Sequence, residues 1–178
     1  MNAVMETGAG VAQLGCLAQA IEAACMGPAG DVPTAVAQAL RRYGGAPGLL
    51  KAEHRIGTAA GYARHLLYAD AKGRFSVVAL VWLPGQYSPV HAHYTWCAYR
   101  VVEGALQEER YRWNAQAGRA EPVETMVRTA GDTVCGHPGR EQIHRLGNGG
   151  VEPAISIHVY GIDADRVATH VNWLAAVS

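Results

Sequence analysis

Residues 85–104 have the sequence GQYSPVHAHYTWCAYRVVEG, in which His91 and His93 are separated by one residue. Turn-forming glycines bound the stretch, and a β-strand is predicted over 97–103. The two histidines also fall where a strand is expected. Because successive side chains of a strand point to opposite faces, residues two apart project from the same face. The stretch therefore predicts two imidazoles that converge on one side of a strand.

More short strands are predicted on both sides of this stretch. Residues 74–83 (RFSVVALVWL) are rich in β-branched and aromatic residues, which is typical of a mostly buried strand. Short strands joined by turns, without intervening helices, predict a mainly β fold built as an antiparallel sandwich or barrel. The other strands are predicted at 62–69, 105–113, 121–128, 132–135, 141–146 and 153–160.

The first 50 residues have a different pattern. Apolar residues recur at helical spacing over 11–25, and the sequence GPAG at 27–30 ends that helix. A second helix is expected with Asp31 as its cap and Pro33 in its first turn. We predict a single domain over 1–178: a helical part (1–50) that packs against the core, a barrel (60–161) and a tail (162–178). Residues 163–177 of the tail are expected to form a short helix.

Composition excludes several classes of protein. With 178 residues, 49% hydrophobic and 17% charged, the chain is neither disordered nor long enough to favour several domains. No apolar run is long enough for a membrane helix, and 15 basic residues balance 15 acidic ones. Neither nucleic acid nor a membrane is therefore expected as a partner. Four cysteines without a basic N-terminal signal indicate thiols in a cytoplasmic protein.

Two imidazoles on one face are typical of a metal site for iron, zinc, copper or nickel. The spacing around them resembles the first motif of the cupin superfamily. Gly85 is followed by five residues, His91 and His93, three residues, Cys97, six residues and Gly104. Cupins normally have a glutamate where this chain has Cys97. The resemblance implies a mainly β fold, a small antiparallel barrel or jelly roll, with these histidines at its mouth.

The second cupin motif also has a counterpart in this chain. Gly131 is followed by five residues, then His137, then His144, three residues and Asn148. Two extra residues precede His144, and His137 replaces the usual proline. The resemblance implies His144 as the third metal ligand. His137 stays the alternative, although a loop histidine beside a proline is commonly exposed.

Two more features supply polar groups. Ser156, His158 and Tyr160 lie two apart on one predicted strand and so share a face, opposite its isoleucines and valine. Such a row inside a barrel needs hydrogen-bond partners, and three satisfied core residues are the alternative to a functional row. Tyr62 and Arg64 precede the histidine stretch. An inward-facing guanidinium binds a carboxylate through two parallel hydrogen bonds, whereas a surface arginine on an edge strand is the alternative.

Together these residues resemble the thiol dioxygenases of the cysteine dioxygenase type I family over about residues 60–161. The resemblance implies one non-haem Fe(II) per chain, bound by His91, His93 and His144. It also implies oxidation of a small-molecule thiol by O2 to a sulfinic acid. By position, Ser156, His158 and Tyr160 correspond to a catalytic hydrogen-bonded relay, and Arg64 with Tyr62 corresponds to the substrate-binding groups.

The resemblance also suggests the substrate. Members of the family that act on cysteine have an arginine at the position of Arg64. Members that prefer 3-mercaptopropionate have a glutamine there and usually a different arginine near the positions of Ala168 and Thr169. We therefore expect L-cysteine, with 3-mercaptopropionate or another thiol acid as the alternative. A non-catalytic cupin that binds a metal or ligand, and a cupin hydrolase or isomerase, also stay open.

Cys97 has a special counterpart in the family. Animal cysteine dioxygenases have a cysteine here that is joined by a thioether to the tyrosine of the Ser-His-Tyr row. This chain has one residue fewer between His93 and Cys97, while the distance to Gly104 is kept. The resemblance thus implies a thioether between Cys97 and Tyr160, with a plain buried thiol as the alternative.

Overall fold

The strands of the protein form two antiparallel sheets of five strands each. A computed structural model describes the backbone of residues 3–177 and the side chains of residues 10–177. The first two residues of the predicted helical part and the last residue of the predicted tail lie outside the described residues. The strands are β1 (Ala63–Ala69), β2 (Ser76–Trp82), β3 (His91–His93), β4 (Cys97–Glu103), β5 (Ala105–Asn114), β6 (Arg119–Thr129), β7 (Thr133–Gly136), β8 (Gly139–Gly147), β9 (Ala154–Tyr160) and β10 (Asn172–Leu174).

The order of strands is β1-β2-β9-β4-β7 in the first sheet and β10-β3-β8-β5-β6 in the second. This arrangement confirms the predicted mainly β cupin fold, and the predicted strands appear with ends shifted by no more than two residues. Gly85 and Gly104, which bound the histidine stretch, have φ angles of 79° and 69°. Glycine adopts these left-handed conformations without steric cost, which explains its presence at both turns.

The first sheet is covered on both faces. Its inner face, with Leu80, Trp82 and Tyr99, lines the barrel. Its outer face packs against two helices, α1 (Ala3–Cys25) and α2 (Val32–Tyr43). Because both faces are buried, every residue of β2 and β9 is buried. This packing explains why β2 has an apolar run rather than alternating polar residues.

The helices follow the predicted pattern with one difference. Asp31 occupies the N-cap position of α2 and proline lies at its start, but the Asp31 side chain makes no capping hydrogen bond. Leu17 and Ile21 of α1 and Val36 and Leu40 of α2 are fully buried against the outer face of the first sheet. The predicted packing of the helical part against the core is confirmed. Within residues 3–177, no helix is long and apolar enough to cross a membrane.

The tail differs from the predicted helix. It begins with a short 3-10 turn (Ala164–Arg166) and a single helical turn, α3 (Val167–His170), and then forms β10. Strand β10 pairs with β3, where Asn172 lies opposite His93. Without β10 the histidine strand would be an edge of its sheet with unpaired backbone groups. Tertiary pairing therefore overrides the helical tendency of the last residues.

The single domain over 1–178 stays a prediction. A substitution at Ile21 tests whether the helical part unfolds together with the barrel. Truncation of this fully buried side chain (Ile21→Ala) should lower the free energy of unfolding by about 2–5 kcal/mol, because it leaves a cavity. Val11→Ala in the same helix, where the side chain is 63% exposed, should change it by less than about 0.5 kcal/mol. Urea unfolding measures both. Two separate transitions, with only one affected by Ile21→Ala, would contradict the single domain.

Candidate metal centre

Pairing of β3 with β8 brings three histidines together. His91 lies directly opposite His144 in the antiparallel register. Regular pairing would then place His93 opposite residue 142, but it faces Gly139 because the register shifts between the two histidines. The shift lies where this chain has two residues more before His144 than the second cupin motif. Such irregularities are common beside active sites. The ligand nitrogens of the three histidines lie within 4.8 Å of one another.

Each of the three imidazoles has a partner on its Nδ1 atom. His91 Nδ1 donates to the Pro89 carbonyl oxygen at 2.9 Å, and His144 Nδ1 donates to Glu108 Oε1 at 2.9 Å. His93 Nδ1 lies 3.4 Å from Cys97 Sγ. The Pro89 carbonyl and the Glu108 carboxylate only accept, so they fix the tautomers of His91 and His144 and leave Nε2 as the ligand atom of these two rings. In His93 the same role of Nε2 requires Nδ1 to donate to the Cys97 sulfur.

His144 Nε2 is the atom that indicates a missing ligand. It is buried and has no hydrogen-bond partner among the described residues. A buried polar atom without a partner is costly, and a metal ion at the centre of the three rings would satisfy it. No carboxylate belongs to the metal-binding group that residues 10–177 form. The donor set is therefore three imidazoles, which suits iron as well as zinc, copper and nickel.

Burial keeps two histidines of the site, His91 and His93, neutral. Burial, with the neighbouring His144, lowers the pKa of His91 to about 3. Burial also holds the pKa of His93 well below its usual range, and His144 and His91 act in the same direction. Neutral imidazole is the form that binds a metal, so no proton has to be displaced from His91 or His93 at neutral pH.

The other histidines of the sequence lie outside this group. His137, the alternative third ligand, is exposed in the loop between β7 and β8 and is absent from the group. His54, His65 and His170 are also elsewhere. His54 and His65 face each other near the surface, and His170 contacts Thr169.

Ser156, His158 and Tyr160 form a continuous hydrogen-bonded row on the inner face of β9. Ser156 Oγ is 2.9 Å from His158 Nε2, and His158 Nδ1 is 3.2 Å from the Tyr160 hydroxyl. At the far end, Trp82 Nε1 donates to Ser156 Oγ at 2.9 Å. Tyr99 stacks on the His158 ring with centroids 5.0 Å apart.

An indole nitrogen only donates, so Ser156 accepts from Trp82. The buried Ser156 hydroxyl has one other partner among the described residues, His158 Nε2, and its own proton is paired only if it donates there. His158 then carries its proton on Nδ1 and donates it to the Tyr160 oxygen. The Tyr160 proton is left free to point into the cavity. Burial lowers the pKa of His158 and raises the pKa of Tyr160, so both groups are neutral at pH 7.

Arg64 and Tyr62 lie at the opening of the same cavity. Arg64 pairs with Leu80, whose side chain faces the barrel interior, so Arg64 lies on the inner face of β1 although its side chain is exposed. Tyr62 stacks on Trp82 with ring centroids 4.4 Å apart, and the Arg64 guanidinium lies 6.0 Å from the Tyr62 ring centroid. One cavity is lined by these residues together with the three histidines, His158, Tyr160 and Asn172.

Cys97 lies directly opposite Tyr160 in the pairing of β4 with β9. Directly opposite side chains of an antiparallel pair lie on the same face and in close proximity. Burial raises the pKa of the Cys97 thiol to about 12, so the sulfur is protonated at neutral pH. Its position is compatible with both the thioether and the plain thiol, and the thioether stays a prediction.

Sequence reasoning missed Glu108, Arg128 and Asn172. Glu108 is 3% exposed, and its second oxygen, Oε2, accepts from Arg128 Nε at 2.8 Å. One signal was available: on the predicted strand 105–113, Glu108 lies two residues from Leu106 and thus on the inward face. For Asn172 no signal existed, because β10 was not predicted.

One protein family matches the barrel part of the chain. The family model described as cysteine dioxygenase type I matches residues 52–170. The chain belongs to this family. Cysteine dioxygenase type 1 of Rattus norvegicus and that of Homo sapiens are each 28% identical to it over 102 residues, which is 56% of this chain and 50% of the relative. The chain thus spans about half the length of the curated relatives it matches.

A solved structure supports the fold of this cysteine dioxygenase family member. The protein TT1209 of Thermus thermophilus is 20% identical, with a TM-score of 0.50. The match covers 64% of this chain and 96% of TT1209. At this identity the likeness concerns the fold alone.

The two candidate third ligands can be separated by mutation. His144→Ala removes one of three ligand atoms, so we expect loss of tight Fe(II) or Co(II) binding, by more than the ~10–100-fold typical for the loss of an outer-shell partner. The matched control His137→Ala should bind metal like the wild type. Anaerobic metal titration followed by elemental analysis measures both. Full metal content in His144→Ala, or its loss in His137→Ala, would overturn the ligand assignment.

Proposed function

We propose that this protein is a non-haem Fe(II) thiol dioxygenase, with L-cysteine as its preferred substrate. The reaction transfers both atoms of O2 to the sulfur of the thiol, giving a sulfinic acid, and needs no other reductant. The observation that carries this proposal is one cavity that combines a three-histidine group, the Ser156-His158-Tyr160 row and Arg64. Membership of the cysteine dioxygenase type I family supports it.

In this proposal His91, His93 and His144 hold one Fe(II) per chain. The unpartnered Nε2 of His144 and the neutral state of His91 and His93 support the fit. When bound, ferrous iron supplies the one-electron chemistry that lets O2 react with a thiolate. The protein supplies three imidazole ligands, and the thiolate of the substrate brings the negative charge that no carboxylate ligand provides.

Arg64 is proposed to hold the substrate carboxylate. Its planar guanidinium forms two parallel hydrogen bonds with a carboxylate, which fixes both position and orientation. Burial lowers the pKa of His158, and the nearby His144 and the Arg64 guanidinium lower it further. The positive charge of Arg64 therefore acts on the row. A carboxylate on Arg64 places the rest of a short thiol acid over the histidines.

Tyr160 is proposed to donate a hydrogen bond into the cavity. His158 donates to the Tyr160 oxygen, so the phenol keeps its own proton for an acceptor on the substrate or on oxygen. Ser156 and Trp82 hold His158 in the tautomer that this direction requires. A donor fixed in advance inside a buried site stabilises developing negative charge without reorganisation.

Oxygen consumption with sulfinate quantification tests the reaction. Anaerobically Fe(II)-loaded protein should consume O2 and form sulfinate preferentially from L-cysteine over 3-mercaptopropionate. Preference for 3-mercaptopropionate would keep the chemistry and reject the substrate inferred from Arg64. No sulfinate from either thiol on fully loaded protein would reject both substrates and leave a dioxygenase of another thiol acid or a binding cupin.

Arg64→Ala tests the carboxylate site. We expect the KM for L-cysteine to rise by about 10–100-fold, since hydrogen bonds between charged groups contribute about 1.5–3 kcal/mol. The kcat should change less. Arg41→Ala, an exposed arginine of α2 far from the cavity, is the matched control and should behave like the wild type. An unchanged KM in Arg64→Ala would return Arg64 to a surface role.

Intact mass after turnover tests the thioether between Cys97 and Tyr160. Its formation removes two hydrogens, with O2 as the oxidant, so the wild-type mass should fall by that amount. Cys135→Ser, which changes a cysteine on the neighbouring strand, should show the same loss. Cys97→Ser should show none. A wild-type mass that stays unchanged after turnover would establish the plain thiol.

A further inference from the structure

We infer that Glu108 and Arg128 are positioning residues that orient His144 and make it the strongest donor of the three metal ligands. This inference rests on the metal centre of the proposed function. It assigns a role to a buried ion pair that the reaction itself does not use.

The two oxygens of Glu108 have separate partners. Oε1 accepts from His144 Nδ1 at 2.9 Å. Oε2 accepts from Arg128 Nε at 2.8 Å, and Arg128 Nη2 lies 2.7 Å from the same oxygen as an ion pair. The carboxylate therefore connects a cation on β6 to a ligand on β8 from its place on β5, the strand between them. Rotation of the carboxylate away from His144 would break the pair with Arg128 as well.

The position of Glu108 is unusual for a charge. Its side chain is 4% exposed and follows Leu106 on the inward face of β5, where an apolar residue would fill the barrel. Removing an ion pair from water costs several kcal/mol, and an apolar replacement is often neutral or stabilising. The pair therefore contributes little as a means of stabilising the fold. Its contact with His144 instead allows it to orient a metal ligand.

The three ligands are supported by different acceptors. His91 meets a backbone carbonyl, His93 meets a thiol, and His144 meets a carboxylate. A negative acceptor on Nδ1–H increases the electron density at Nε2 and fixes the plane of the ring. The centre is therefore unequal: a carboxylate acts on the metal through His144, although no carboxylate is itself a ligand.

Glu108→Gln tests this inference because it keeps the shape of the side chain and removes its charge. We expect Co(II) affinity to fall about 10–100-fold and the visible absorption bands of bound Co(II) to shift. Glu109→Gln is the matched control, since Glu109 contacts Tyr111 and Arg145 but not His144. Its Co(II) affinity and spectrum should equal those of the wild type.

A second measurement does not depend on the stability of the variant. In the wild-type protein loaded with Zn(II), the His144 Nδ1–H proton should be protected from exchange and give a strongly downfield NMR signal. Arg128→Gln frees one side of the Glu108 carboxylate, so this signal should move upfield and Co(II) affinity should fall. An unprotected Nδ1–H in the wild type would overturn the inference even if Glu108→Gln failed to fold.

The outcomes separate this inference from the proposed function. If the wild type binds neither Co(II) nor Fe(II) at the histidines, the metal centre itself is wrong. If the wild type binds metal and forms sulfinate, while Glu108→Gln has unchanged affinity and spectrum, only the role of Glu108 is wrong.

Discussion

The pairing of β3 with β8 is the constraint on which the whole site depends. It places His91 directly opposite His144, and His93 lies two residues further along β3 on the same face. Strand β3 is only three residues long, so it could not hold this position alone. It is held between β8 and β10, which supply backbone hydrogen bonds on both sides. The geometry of the ligands is thus set by backbone pairing, and the side chains need only small adjustments.

A second requirement is that most polar groups of the barrel interior be paired. Buried polar groups are costly unless paired, and the interior contains four histidines, Ser156, Tyr160 and Glu108 near the centre. The Tyr99 hydroxyl and His144 Nε2 have no hydrogen-bond partner among the described residues. The helices contribute indirectly. They cover the outer face of the first sheet, so one large apolar cluster that stabilises the fold lies outside the barrel. Inside the barrel, a second apolar cluster that includes Leu80, Leu106 and Leu146 packs beside the polar groups.

Direction matters as much as contact in this interior. Trp82 can only donate to Ser156, and the direction that pairs the Ser156 proton with His158 leaves the Tyr160 proton facing the cavity. In the candidate metal centre each Nδ1 has a partner, and the acceptors on His91 and His144 leave their Nε2 atoms as ligand atoms. Trp82 lies in the apolar run of β2, but its indole N–H belongs to the hydrogen-bonded row of the site.

The sequence by itself determined the strands up to residue 160 and the two N-terminal helices, because period-two alternation, helical spacing and glycine turns are local properties. The resemblance of its motifs indicated His144 over His137, and alternation placed Ser156, His158 and Tyr160 on one face. Only the tertiary structure decided that the last residues form β10 rather than a helix, since that strand exists by pairing with β3. It alone joined Glu108 and Arg128 to His144, because these residues come from three different strands that meet only in the folded sheet. Contacts of this kind follow from register between strands, which no local pattern encodes.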